Sequence, residues 1–326
     1  EDCLEKMKAM HYKVSVIIPV YNASRYIPRC VESLMRQTLR EIEYIFVEDC
    51  STDGSFDILL KTLEAYPERK DDVKILRHGK NMGVSVSRND GNAAATGDFL
   101  IHCDSDDWVD VTMYEKMYNQ VIAEDADICI CDYYNVTKSG TTRIHPEIDC
   151  KQEQWKVVRD YILWYWNSLW NLLVSRRAYE RCGVTIPEDI TFTEDFFLSC
   201  HLFMAARKVT AVNEPLYYYY LENSASIIHN LNPGFMKQEL SCVELLIESM
   251  KAKGVYEYYF RIMQWRLLKA NAALVFTNRF EEFRSTHPES LRYILSVPST
   301  YLKPKVKIML LLAALHLDFI CRWDNR

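Results

Sequence analysis

Three carboxylates stand within four residues at Asp104-Ser105-Asp106-Asp107. Like charges this close repel unless a cation sits among them or some carry protons. A hard divalent ion, Mn2+ or Mg2+, takes oxygen ligands and leaves coordination positions for the oxygens of a bound phosphate. The plain alternative is a solvated acidic turn leading into a helix that begins near Thr112. Position favours the first reading, because the cluster directly follows Phe99-Leu100-Ile101-His102-Cys103, an apolar run expected to be a buried strand. Two other apolar runs also end in polar residues: Val14 to Ile18 runs into Pro19-Val20-Tyr21-Asn22, and Tyr44 to Val47 into Glu48-Asp49. In open α/β sheets ligands bind beyond the carboxyl ends of the strands. Three such ends converging on polar groups predict a site there.

The elements that must position these residues follow from periodicity. Strands are expected at 14–18 (stopped by Pro19), 44–47, 73–76 and 99–103. Helices are expected at 23–37, beyond a loop at 53–55 and running through Leu59, Leu60 and Leu63, and at 83–95, closed by Gly97. This alternation implies right-handed crossovers and a largely parallel sheet. After Asp110 the order changes: a helix at 114–123, a strand at 127–134, an aromatic-rich stretch at 155–173 and a strand at 215–220. Aromatic stripes belong more often to the core than to a sugar platform, with Trp170 the candidate exception. Helices are expected at 235–253, 256–277 and 305–320. Ile308 to Leu315 is too short to cross a membrane and reads as a buried helix. Lys303, Lys305 and Lys307 just upstream leave contact with a membrane surface as the other reading.

Composition narrows the classes. With 326 residues, 49% of them apolar, the chain can bury one large core or two medium ones. A balance of 39 Lys+Arg against 45 Asp+Glu, net −6, argues against nucleic acid as a partner. The 11 cysteines are scattered with no C-x-x-C, which reads as core thiols in a reducing compartment rather than zinc ligands or disulfides. Residues 1–13 lack the apolar run of a secretory signal, so a cytoplasmic location is expected, with the inner face of the membrane as its variant. Only nine glycines occur, so each is expected to hold its place for a reason.

The blocks VSVIIPVYNASRYI, VEDCSTDGS and NMGVSVSRNDGNAAATGDFLIHCDSDDW, in that order and spacing, resemble the nucleotide-sugar glycosyltransferases of family 2. SLWNLLVSRRAY and TFTEDFFL fit the acceptor half of the same family, so the resemblance runs from Val14 to about Asn223. It implies an α/β, GT-A fold, a Rossmann-like and mostly parallel central sheet flanked by helices. The catalytic domain would cover 1–225, with a donor half at about 13–110 and an acceptor half at about 111–225. A helical region, 226–326, would pack on it.

The resemblance also assigns roles. Pro19, Val20, Tyr21 and Asn22 would line the nucleotide pocket, with Tyr21 against the base. Asp49 would face uracil, where an acceptor-only carboxylate suits the N3–H donor. Arg88 would reach the nucleotide or pair with Asp104. Asp104 and Ser105 would hold the ribose and the donor end. Asp106 would ligate Mn2+ or Mg2+, which offsets charge on the departing nucleoside diphosphate. Asp195 would be the general base that takes the acceptor hydroxyl's proton, Glu194 would orient the acceptor, and Trp170 would stack on a sugar face. One base and no covalent nucleophile imply single displacement with inversion. The alternative for Glu194-Asp195 is an acidic pair favoured by a helix N-terminus, with Thr193 as its cap. His102 reads as a packed neighbour and His229 as an ordinary loop residue, with a loop that closes to bring His229 to the diphosphate or metal as the alternative. Glu48 and Cys50 stand where the family has Asp and Gly, and Leu172 where it often has Lys.

The reading is therefore an inverting, metal-dependent transfer of one sugar from a UDP-sugar to a glycan or lipid-linked acceptor in surface polysaccharide assembly. The absence of a Q-x-x-R-W block and of membrane spans argues against a processive polymerase. A nucleotidyltransferase would carry a glycine-rich basic loop where residues 19–25 have no glycine. A non-catalytic glycan-binding protein of the same fold would have no use for intact Asp104, Asp106 and Asp195.

Overall fold

The computed structural model describes residues 11–163, 168–224 and 233–321. Four parallel strands form the first half: β1 (Val14–Val20), β2 (Ile42–Glu48), β3 (Val73–Arg77) and β4 (Phe99–His102), in the spatial order β3-β2-β1-β4. Helices α1 (Ile27–Met35), α2 (Ser55–Leu63) and α3 (Val84–Ala94) make the crossovers. Apart from Ser15, whose hydroxyl donates to Glu43, β1 is apolar because both its faces are covered. Val14, Val16, Ile18 and Val20 join Ile27, Val31 and Leu34 of α1 in one core, while Ile17 joins Ile45, Val47 and Leu100 in another.

The strand does not stop at Pro19 as its sequence suggests; it continues to Val20, with Pro19 opposite Val47. The carbonyl of Ile17 bonds toward the β4 side and that of Val20 toward β2. The missing N–H of Pro19 therefore falls on the β4 side, where pairing has already ended at His102. Gly97 is likewise not a simple helix stop. A Cβ there would lie 2.8 Å from the backbone nitrogen of Ser15, so glycine is needed for close approach to β1.

The second half continues the sheet as β8-β6-β9-β5: β5 (Trp108–Val109), β6 (Ile128–Thr137), β8 (Leu172–Ser175) and β9 (Val209–Tyr220), with β7 (Gly140–Ile144) on β6. β8 runs antiparallel to both β4 and β6, and β9 parallel to β6. The sheet is thus mostly parallel in the first half and mixed in the second. β5, β7 and β8 are not expected from the sequence. β8 follows directly on the aromatic-rich stretch, and β5 is two residues long. Helices α4 (Met113–Ala123), α5 (Gln154–Leu163), α6 (Arg176–Cys182) and α7 (Glu194–Ala205) complete this half.

α8 (Pro233–Ala252) and α9 (Tyr256–Phe276) pack Val243, Leu246, Met250 and Met263 into one core with Ile128 of β6 and Phe203 of α7. A third core gathers α9, α10 (Phe280–Ser285), the 3-10 segment Pro288–Ser296, α11 (Pro304–Ala314) and α12 (Asp318–Cys321). The helix expected at 305–320 is two helices, broken where His316 takes a φ of +60°. No described helix is long and apolar enough to cross a membrane. All ten described cysteines are free thiols.

Candidate active site

The loops after β1 and β2 are tied to each other. The Asp49 N–H donates to the Val20 carbonyl, Asn22 Oδ1 accepts from the Thr52 N–H at 2.9 Å, and the Asn22 N–H donates to Ser51 Oγ at 3.1 Å. Asn22 and Cys50 both sit in the left-handed region, at φ +49° and +59°. Asn tolerates that conformation through its short polar side chain. Cys50 occupies a turn where glycine would be unstrained, which gives the departure at this position a physical meaning. Tyr21, 47% exposed, leaves its ring open to a ligand.

Asp49 is buried, and its carboxylate accepts from the backbone N–H groups of Met82 (2.7 Å) and Gly83 (2.8 Å) and from His78 Nδ1 (2.7 Å). It therefore anchors the N-terminus of α3. Three of its roughly four lone-pair positions are used, leaving one on Oδ2. His78 was not foreseen. Its signal was its place directly after β3, a fourth polar strand end. Its Nε2 reaches Asp90 Oδ2 at 3.0 Å, so both ring nitrogens face carboxylates. Burial pulls the imidazole down, but the two carboxylates outweigh it and hold it above its ordinary value.

In the second turn of α3, Arg88 is 3% exposed and gathers three acids from two segments. Nη2 lies 3.1 Å from Asp104 Oδ1 and 3.2 Å from Asp195 Oδ1, and Nε lies 3.5 Å from Glu194 Oε1. His102, buried at the end of β4, places Nδ1 3.4 Å from Nη1. Burial and the neighbouring guanidinium hold His102 well below its usual range, so it is a neutral packed neighbour. Burial also raises the carboxyls of Glu194 and Asp195, and the pull of Arg88 only partly offsets this. Asp195 Oδ1 and Arg88 Nε are buried and complete no aligned hydrogen bond among the described residues. Thr193 adopts φ +65° and does not cap α7 with its side chain, so a Thr193 cap is not what fixes the acidic pair.

The acidic cluster is held from β9. Tyr217 O–H donates to Asp107 Oδ2 at 2.7 Å and accepts the Asp104 N–H at 3.1 Å, while the Tyr220 N–H donates to Asp107 Oδ1 at 2.7 Å. Asp107 is fully buried and serves the loop's shape. Its role was not separable from its neighbours by sequence. Asp106 accepts from Asn223 Nδ2 at 2.7 Å, and burial followed by the Asp104 charge pushes its carboxyl up to about 6. Arg29 donates to the Asp106 carbonyl at 2.9 Å with its guanidinium 3.6 Å over the Trp108 ring.

Trp170 is not at this site's surface. It is 5% exposed, stacks on Tyr217 (4.3 Å) and Tyr219 (5.5 Å) and meets Tyr133 edge-on, so it packs in the core rather than presenting a sugar platform. His229 lies outside the described residues.

Among the described residues no cluster of three or more His, Cys, Asp or Glu side chains is arranged to hold a metal alone. Asp104 and Asp106 offer carboxylate oxygens that suit Mn2+ or Mg2+, and the Asp106 carboxyl is raised first by burial and then by the Asp104 charge. Two carboxylates suit a hard cation that would take its remaining ligands from elsewhere, such as phosphate oxygens or water.

The sequence profile of Glycosyl transferase family 2 matches residues 15–209. The chain belongs to this family, and it is a glycosyltransferase of GT-A fold. It is 32% identical over 215 residues to the uncharacterized glycosyltransferase EpsJ of Bacillus subtilis (strain 168), a match spanning 63% of this chain and 60% of that protein. Its fold matches S. aureus TarS 1–349 in complex with UDP-GlcNAc, at TM-score 0.66 and 17% identity, over 96% of this chain and 93% of that one. It also matches a mannosyltransferase from Pyrobaculum calidifontis in complex with GDP-Man and Mn2+, at TM-score 0.53 and 15% identity, over 98% and 89%.

Proposed function

We propose that this glycosyltransferase transfers one sugar from a UDP-sugar to a hydroxyl of a glycan or lipid-linked acceptor, with metal assistance and inversion at the anomeric carbon, in surface polysaccharide assembly. The observation that carries the reading is the Arg88 node, which brings Asp104 of the donor half beside Glu194 and Asp195 of the acceptor half. UDP-GlcNAc bound in TarS supports a nucleotide-sugar donor, and Mn2+ with GDP-Man in the mannosyltransferase supports a metal.

The residues divide the work. Tyr21 packs on the base, and the open lone pair of Asp49 meets the uracil N3–H, with Pro19, Val20 and Asn22 forming the wall. Asp104 and Ser105 hold the ribose. Asp106 would hold Mn2+ or Mg2+, which as a Lewis acid would offset charge on the departing diphosphate. Asp195 Oδ1 accepts the proton of the attacking hydroxyl, and burial makes it a better acceptor so long as it stays ionised. Arg88 favours its ionised form against the burial that opposes it, and aims it, while Glu194 orients the acceptor. Attack from the face opposite the leaving group gives the inverted anomer.

The test is UDP release from a panel of UDP-sugars with GDP-mannose, with and without Mn2+, and NMR of the product. UDP release stimulated by metal, with an inverted anomer, supports the reading. Preference for GDP-mannose, metal-independent turnover or a retained anomer contradicts the corresponding part.

A further inference from the structure

The α11–α12 hairpin departs from a buried helix in one direction only. Its inner side places Leu310, Ala313 and Cys321 in the third core. Its outer side leaves Ile308 58%, Leu315 59%, Phe319 73% and Ile320 55% exposed, and Leu295 in the preceding 3-10 segment is 75% exposed. Side chains of this size do not gather on an exposed surface without a partner.

The charge beside this patch is one-sided. Lys303 caps α11, and Lys305 and Lys307 follow in its first turn and a half, with no acidic residue in the first turn. A helix N-terminus favours acids, so three lysines there work against the helix's own stability. None of the three forms an ion pair among the described residues. No Asp or Glu occurs from Lys303 to Leu317. The one acid in the hairpin, Asp318, is held by both arms of Arg284 at 2.7 and 3.0 Å. A chain of net charge −6 thus presents a locally cationic, apolar surface.

From this juxtaposition we infer that the α11–α12 hairpin is a peripheral membrane-binding surface, whose apolar side chains enter the headgroup–acyl boundary while Lys303, Lys305 and Lys307 meet anionic headgroups. Apolar burial and attraction to anionic lipid together are what interfacial helices use. The proposal does not depend on the nature of the donor or acceptor.

The full chain is tested by flotation with two vesicle preparations: phosphatidylcholine alone, and one part phosphatidylglycerol to three of phosphatidylcholine. Binding is expected to the anionic vesicles, to weaken with salt, and to be much weaker on phosphatidylcholine. Changing Lys303, Lys305 and Lys307 together to Gln should lower partitioning by roughly 10²-fold, at about fivefold for each lysine near the surface. Phe319→Ser with Ile308→Ser should lower it while leaving the thermal melt unchanged, since both side chains are exposed. Equal binding to the two vesicle types, no binding, or unchanged binding by the folded variants overturns the proposal. So does light scattering that shows a dimer lost in the Phe319→Ser/Ile308→Ser protein, which would assign the surface to a second copy.

Discussion

Replacing Arg88 by Gln removes the counter-charge of three acids at once. The guanidinium is buried, with Asp104, Asp195 and Glu194 at 3.1, 3.2 and 3.5 Å. Removing one partner of a buried ionic group costs about 3–5 kcal/mol, because the stranded charges cannot regain water. Against a total stability of about 5–15 kcal/mol, a folded but weakened protein is expected. The loss should depend on pH. Without Arg88, Glu194 and Asp195, already raised by burial, rise further. A carboxyl whose folded value exceeds its unfolded one binds more protons when folded, so its penalty is absent at low pH and grows as pH rises. Urea unfolding at pH 8 and pH 5.5, in EDTA, should show the larger loss at pH 8. Arg88→Lys keeps the charge but not the fork, and should fall between. A loss below about 1 kcal/mol at pH 8, or one equal at both pH values, would refute the reasoning that Arg88 is the node's counter-charge.

Tyr217→Phe removes two hydrogen bonds to the acidic loop and should cost about 1–3 kcal/mol in denaturant unfolding, with weaker UDP binding by calorimetry. Gly97→Ala forces a Cβ against the β1 backbone and should cost about 1–3 kcal/mol or more, read as a lowered melting temperature. The raised His78 imidazole contributes stability that is complete below its ordinary value of 6.5 and is lost as pH climbs through its folded value. Melts across pH 6 to 9 should show that decline in the parent protein and its absence in His78→Gln.

How far the sequence carried the fold is visible strand by strand. β1, β2 and β4 were legible because strands buried on both faces read as largely apolar runs, and their carboxyl ends announced themselves in Asn22, Asp49 and Asp104; β3, half-buried at the sheet edge, was legible from Val73, Ile75 and Leu76. Pro19 misled because a proline's effect depends on which neighbour its missing N–H would have faced, and that is a property of register. β5 escaped because two residues carry no periodicity, β7 because Gly140–Ile144 is polar and exposed, and β8 because it follows directly on the aromatic-rich stretch. Trp170 shows the same limit: a tryptophan near a sugar site and one in the core look alike until Tyr217 and Tyr219 are seen to pack on its ring. The pairing of Arg88 with Asp104 was one of two readings open in the sequence, but the joining of Glu194 and Asp195 to the same guanidinium was not, since it requires α3, the loop after β4 and the start of α7 to meet. Tyr217 and Asn223 were hidden for the same reason, more than 100 positions from the loop they hold.

The central claim is that Asp195 takes the proton of the acceptor hydroxyl. The most direct measurement is steady-state transfer by Asp195→Asn, an isostere that cannot accept a proton at neutral pH, with folding verified by thermal melt. Asp195→Asn is expected to lower kcat by about 10²-fold or more, with the KM for the UDP-sugar within a few-fold of the parent. A folded Asp195→Asn protein that turns over at close to the parent rate would contradict it.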